Sequence, residues 1–111
     1  MTFLYLNSDC MGQGDPELGK ELMFIFLNEL VKSNVKIDLI GCINSGINLT
    51  TRGSEVLDVL KELQNKGAKI SSCATCLDFY GKRHELQIGE VGSMAKTLEA
   101  LAKADKVIKP N

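Results

Sequence analysis

The chain has 111 residues, a length that fits one domain, residues 1–111, with a single apolar core. It is 44% hydrophobic and 24% charged, with a net charge of −1 and dispersed Lys and Arg, which argues against a nucleic-acid or membrane-surface partner. No apolar run approaches the roughly 20 residues of a membrane span, and the opening Met-Thr-Phe-Leu-Tyr-Leu lacks the basic and long apolar regions of a signal peptide.

A cytoplasmic location follows as the expectation. In that reducing compartment the four cysteines are expected to be free thiols, buried, catalytic or metal-bound, and not structural disulfides.

The first element is a short apolar run, Phe3 to Asn7, read as strand β1. A polar loop, Ser8 to Gly14, leads to Asp15-Pro16, where Asp serves as N-cap and Pro as first helical residue. Leu18, Leu22, Met23, Ile25, Phe26, Leu30 and Val31 then recur at helical spacing and predict helix α1 to about Lys32. Ile37 to Ile43 is nearly continuously apolar, the pattern of a buried parallel strand, β2, broken by Asn44-Ser45-Gly46.

Helix α2 is expected from Gly53 or Ser54 to Lys66, with Gly67 as its stop. Ala68 to Ser72 reads as β3, followed by Cys73-Ala74-Thr75-Cys76 and a short helix that ends at Gly81. Leu86 to Ile88 is the candidate for β4. Ser93 is placed as the cap of a last helix with Met94, Leu98 and Leu101 inward, and Lys106 to Ile108 as a final edge strand.

This alternation predicts an α/β protein: a three-layer, flavodoxin-like arrangement with a mostly parallel sheet of about five strands and helices on both faces. Such sheets place their sites at the carboxyl ends of the strands. In a flavodoxin-like order β1 lies between β2 and β3. The loops at Ser8–Gly14, Asn44–Gly46 and Cys73–Cys76 then meet on one rim, with Cys10, Cys42, Cys73 and Cys76 near it.

Cys73-x-x-Cys76 at the exit of a strand carries the chemistry. The spacing puts both sulfurs within one helical turn, where amide groups of the helix start favour a thiolate. The alternative is that two small, soft residues fill the turn. Gly12-Gln13-Gly14 is not a phosphate loop: position 17 is Glu where a third glycine is needed, Asp15 and Glu17 would repel phosphate, and no Gly-Lys-Ser/Thr exists. Its glycines are expected to supply positive φ.

A metal site is disfavoured, because there is one Cys-x-x-Cys, no second pair and a single histidine. No cofactor is expected. A thioredoxin fold is disfavoured too, since the two prolines, Pro16 and Pro110, lie far from the Cys pair. A dithiol reaction on another fold stays open. His84 reads as a solvated turn residue, Arg52 as either exposed or an anion contact, Asn44 as a loop cap and Cys42 as a buried, inert thiol.

Several motifs in order resemble the DsrE-like domain of the YedF group, a sulfurtransferase-like family linked to selenium metabolism. They are Asn7-Ser8-Asp9, Met11-Gly12, Gly14-Asp15, Glu17-Leu18-Gly19, Leu22-Met23, Asn44-Ser45-Gly46-Ile47, Leu49-Thr50 and Gly53-Ser54. The series continues with Cys73 and Thr75-Cys76-Leu77-Asp78, Tyr80-Gly81, Gly89-Glu90 and Met94. Departures are Ala74 where Gly is usual, Cys42-Ile43 in place of a more aromatic pattern, and Gly92-Ser93 in place of a Thr-Asn-like pair.

The resemblance implies a DsrE-like fold, a homo-oligomer, and sulfur relay through a cysteine persulfide. Cys73 and Cys76 take the catalytic roles, Cys73 as carrier and Cys76 as resolver. Asn7, Ser8, Asp9, Asn44, Ser45, Gly46 and Thr75 are expected to shape the pocket. Fuller members carry a TusA-like domain ahead of this one. This chain begins at β1, so a TusA-like carrier is expected in trans. The rival expectation is a non-catalytic assembly subunit, favoured by the wide apolar surface of α1, with Met23, Phe24, Phe26 and Leu27 spread around it.

Overall fold

Five parallel strands lie side by side in the order β4-β3-β2-β1-β5. The computed structural model describes all 111 residues. β1 is Thr2–Leu6, β2 Leu39–Cys42, β3 Lys69–Cys73, β4 Glu90–Gly92 and β5 Lys106–Ile108. Register is set by Leu4↔Ile40↔Ile70 across the three central strands and by Phe3↔Val107 at the β5 edge.

The order departs from the flavodoxin-like expectation: β2, not β1, is flanked by β1 and β3. Each crossover from β1 to β4 adds the next strand on the same side, and only the last returns to the far side of β1. A parallel crossover leaves the same hydrophobic signature whichever edge it adds to, so the sequence pattern carries no trace of this choice. Right-handed crossovers put the first set of helices on one face and the returning one on the other.

The first face holds the main core. Leu4, Leu6, Ile40 and Ile70 from the sheet meet Met23, Leu27 and Leu30 of α1 (Pro16–Lys32) and Val59, Leu60 and Leu63 of α2 (Leu57–Asn65). α1 starts as expected, with Asp15 Oδ1 accepting from the amides of Glu17 and Leu18 at 2.8 and 3.1 Å. α2 begins three or four residues later than expected and stops before Gly67, which takes φ +112°. On the second face the Phe3 ring packs against Gly41, where an added Cβ would lie 2.8 Å from two of its carbons.

Two further expectations are corrected. Leu86–Ile88 is not a strand of the sheet. Leu86 forms an isolated antiparallel bridge with Thr51, and β4 lies at Glu90–Gly92. In α4 (Met94–Lys103) Ser93 caps the start, but Met94 and Leu98 are 57% and 66% exposed while Ala100 is buried. Of the three residues expected inward only Leu101 is half-buried, and the small Ala100 is the buried residue of the helix.

The 3₁₀ helix at Asn44–Leu49 had no counterpart in the pattern, because a six-residue turn is too short to show periodicity. Beneath it Thr50 and Thr51 are fully buried, and both hydroxyls donate to the carbonyl of Ile47. No helix is long and apolar enough to cross a membrane.

Candidate functional site at the carboxyl rim

Because β1, β2 and β3 are adjacent and parallel, the loops that leave them converge, as expected. The Asp9 amide donates to Ser45 Oγ at 3.2 Å, and Ser45 Oγ lies 3.4 Å from Ser8 Oγ. Asn48 donates to Asp9 Oδ2 at 3.1 Å and accepts from Lys82 Nζ at 2.6 Å. Asn111 closes the loop from the other side, accepting from the Asn7 amide and donating to the carbonyls of Ser8 and Cys10. Gly12 and Gly14 take the positive φ expected of them.

The third loop joins through a thiol. The backbone N–H of Asn44 donates to Cys76 Sγ at 3.0 Å. Asn44 is the one non-glycine residue at positive φ, +50°, a region Asn tolerates better than most side chains. It opens the 3₁₀ helix, so its amide has no partner within the helix. The side chain is held as well: Tyr80 donates its hydroxyl to Asn44 Oδ1 at 3.0 Å.

The two cysteines differ. Cys73 ends β3 and caps the short helix α3 (Ala74–Phe79), and it is only 6% exposed. Cys76 is half-buried against the core cluster. Burial pushes the Cys76 thiol above its ordinary range, the Asn44 amide pulls it down, and Cys73 beside it raises it again. The outcome is a raised value, which corrects the expectation of a thiolate favoured at Cys76 by the helix start. α3 has only six residues, and the loss of water around the sulfur outweighs one amide.

Cys42 is buried, its thiol pushed up to about 12 by loss of solvent, in line with an inert role. Cys10 is half-buried. Its thiol lies 3.5 Å from both Asp9 Oδ1 and the Pro16 carbonyl, and burial and Asp9 raise its pKa. All four cysteines are free. No three His, Cys, Asp or Glu side chains are grouped so as to hold a metal ion.

Two cavities open on the rim, divided by the Ser8–Cys10 loop. One, of about 550 Å³, is lined by Asn7, Ser8, Cys10 and Asn44 among others. The other, of about 350 Å³, is lined by Asp9, Asn48 and residues of α1 and the α2 approach. Neither is lined by Cys73 or Cys76; the thiol pair lies next to the first, on the far side of Asn44.

Of the expected pocket residues, Asn7, Ser8, Asp9 and Asn44 line a cavity. Ser45 ties two loops together. Gly46 is buried, and an added Cβ would sit 2.2 Å from the Leu6 carbonyl oxygen, so it serves close packing. Thr75 is exposed beside the thiols, and His84 is exposed, as a solvated turn residue should be.

Asn48, Tyr80 and Lys82 were given no role by the sequence. Their contacts join residues 39, 36 and 34 apart, and no local spacing marks such pairs.

No family model matches the chain, and no curated protein matches it in sequence. Solved structures do. The ychN protein from E. coli superposes with a TM-score of 0.72 at 18% identity, covering 97% of each chain. MTH1491 from Methanobacterium thermoautotrophicum, a protein of unknown function, superposes with a TM-score of 0.70 at 18% identity, covering 98% of this chain and 97% of its own. At this identity the likeness speaks to the fold alone, a parallel-sheet α/β architecture of the class expected from the sequence.

Proposed function

We propose that this chain accepts and relays sulfane sulfur, or selenium in its place, at the Cys73/Cys76 pair, as the resemblance to the YedF group suggests. The observation that carries the reading is the Asn44 amide aimed at Cys76 Sγ from 3.0 Å in a half-exposed setting. It favours Cys76 as the receiving thiol, with Cys73 behind it, the reverse of the order expected from strand position. An amide that holds a sulfur also suits the anionic terminus of a persulfide.

With thiosulfate as donor, the Cys76 thiolate attacks the outer sulfur, a Cys76 S–S bond forms, the donor's S–S bond breaks, and sulfite leaves with the electron pair. An acceptor thiolate then takes the outer sulfur and returns Cys76 as thiolate. Asn7, Ser8 and Asn44 line the neighbouring cavity, from which a donor is proposed to reach the thiol past Asn44. A TusA-like carrier is the proposed partner in trans, and the cytoplasm the proposed compartment.

The test is exposure of the fully reduced protein to thiosulfate and to polysulfide, followed by mass spectrometry of the peptide that holds both cysteines. The expected result is a gain of one sulfur mass that dithiothreitol removes, lost in Cys76→Ser and kept in Cys73→Ser. Absence of the gain with both donors would sink the reading. A reversible Cys73–Cys76 disulfide without sulfur uptake would point instead to dithiol redox.

A second reading, an assembly subunit, draws on α1, where Leu18, Leu22, Phe24 and Ile25 are all 38–53% exposed. Four such side chains on one helix favour a homo-oligomer in either reading.

A further inference from the structure

The cavity of about 350 Å³ on the other side of the Ser8–Cys10 loop is untouched by the thiol chemistry. Its size falls in the range of small-molecule sites, roughly 300–1,000 Å³. The floor is apolar, made by Met23, Leu49 and Val56, all buried, with Phe24 at the mouth.

Lys20, Arg52 and Lys82 face the cavity together with Asp9 and Glu55, three positive side chains against two negative. None of the three cations is in an ion pair; the chain's salt bridges are Met1–Asp105, Lys36–Asp38, Arg83–Asp78 and Lys103–Glu99. Lys82 donates to the neutral Asn48 amide oxygen, which fixes its position and leaves its charge uncancelled. Asp9 is already engaged by the other end of the same amide. Glu55 is the remaining carboxylate.

The nine-residue helix α2 also starts here. Val56, its N-cap, lines the cavity and provides no side-chain cap, so the first amides of the helix lack an internal partner and add partial positive charge.

We propose that this cavity binds a small organic anion, with a singly charged oxyanion head among Arg52, Lys82 and Lys20 and a short apolar stem on Met23, Leu49 and Val56. The surplus of one positive charge matches a head with one negative charge. Carboxylates carry that single charge; phosphate monoesters offer the same acceptor oxygens but are mostly dianionic at neutral pH, so they overmatch the surplus. The proposal is independent of the thiol reading, because neither Cys73 nor Cys76 lines the cavity.

The test is a titration of the ¹⁵N-labelled chain by NMR with phenylacetate, phenyl phosphate, inorganic phosphate and the uncharged phenylacetamide. The expected result is saturable shifts at the amides of residues 20–24 and 48–56 for phenylacetate or phenyl phosphate. Binding of phenylacetamide and of inorganic phosphate should be at least several-fold weaker. The tighter of the two organic anions identifies the head.

Arg52→Gln should weaken binding about tenfold, as expected for loss of a charged hydrogen bond, and added salt should weaken it further. Arg52 is exposed, so the fold should hold; Lys20→Gln is the second variant. A Cys73→Ser/Cys76→Ser variant should bind unchanged, which separates failure of this proposal from failure of the thiol reading. Equal shifts with phenylacetamide, no response to Arg52→Gln and Lys20→Gln, or no shifts with either organic anion would overturn it.

Discussion

The backbone N–H of Asn44 reaches the sulfur of Cys76 at 3.0 Å across 32 residues of chain. The contact depends on a conformation that most residues resist, the left-handed φ of +50° at Asn44, and on Tyr80, which holds the Asn44 side chain. The loop after β2 is thereby locked to the thiol after β3. The amide is the one feature around Cys76 that opposes the effect of burial on its titration.

Asn44→Val tests this lock. A β-branched residue in the left-handed region costs about 1–3 kcal/mol, so the variant should lose stability by that amount in urea unfolding. If the loop swings to relieve the strain, the amide leaves Cys76 and the thiol should alkylate at still higher pH than in the parent. Asn44→Gly keeps the N–H and tolerates the left-handed φ but loses the Tyr80 contact, so its alkylation profile should fall between those of the parent and the Val variant. Equal profiles for parent, Val and Gly variants would show that the amide does not govern the thiol.

Gly46 makes the same rim possible in another way. An added Cβ would lie 2.2 Å from a backbone carbonyl oxygen, Leu6 O, and no side-chain rotation relieves that clash. Gly46→Ala should destabilise the protein by about 1–3 kcal/mol or more and displace the 3₁₀ helix that carries Asn44. Gly67→Ala, where nothing lies within 4 Å but φ is +112°, should also destabilise, without disturbing the rim. Urea midpoints compare the two, and Cys76 alkylation separates rim damage from general loss of stability.

Much of this architecture was legible from the chain. Asp15-Pro16, the apolar run Ile37–Ile43, Gly67 and the Cys pair at the exit of β3 each have a local cause, a cap, a double-sided burial, a turn or a strand exit; the cap and the stop were found where expected, while β2 is the shorter Leu39–Cys42 and β3 extends through Cys73. The strand order was hidden because crossover direction leaves no mark on hydrophobic periodicity.

Leu86–Ile88 looked like a strand for a sound reason, its apolar content, yet its backbone groups are used in pairing with Thr50–Arg52. At the site, the Cys pair and the Asn7–Asp9 and Asn44–Gly46 loops were visible. The lock between Asn44, Tyr80 and Cys76 was hidden, since it exists only after two crossovers have brought the loops together. The same burial that builds the rim reversed the expected shift at Cys76.

Cys42 predicts how stability responds to alkaline pH. Its thiol is pushed up to about 12 in the fold, while an unfolded cysteine titrates near 8.5. The folded state therefore keeps its proton after the unfolded state has lost it. The contribution is fully present below pH of about 8.5 and is lost as pH rises toward 12. Raised values at Cys10 and Cys76 act in the same direction. Urea midpoints should fall across this window, and Cys42→Ala should fall less steeply than the parent, after an initial loss at neutral pH from the small cavity it leaves. Parallel slopes for both proteins would mean that Cys42 ionises without unfolding.

The outer surface of α1 separates the two roles of that helix. Leu27 is fully buried, so Leu27→Ala should cost about 2–5 kcal/mol whatever the assembly state. Leu22 and Ile25 are 38% and 48% exposed, and a polar replacement there costs a monomer little. If α1 is a subunit interface, Leu22→Gln/Ile25→Gln should leave the far-ultraviolet circular dichroism of the chain intact while shifting its mass in light scattering from oligomer toward monomer. The midpoint of unfolding should lose its dependence on protein concentration in the same variant. A parent that is already monomeric at all concentrations would rule out the interface and leave the exposed leucines and phenylalanine of α1 as ordinary surface.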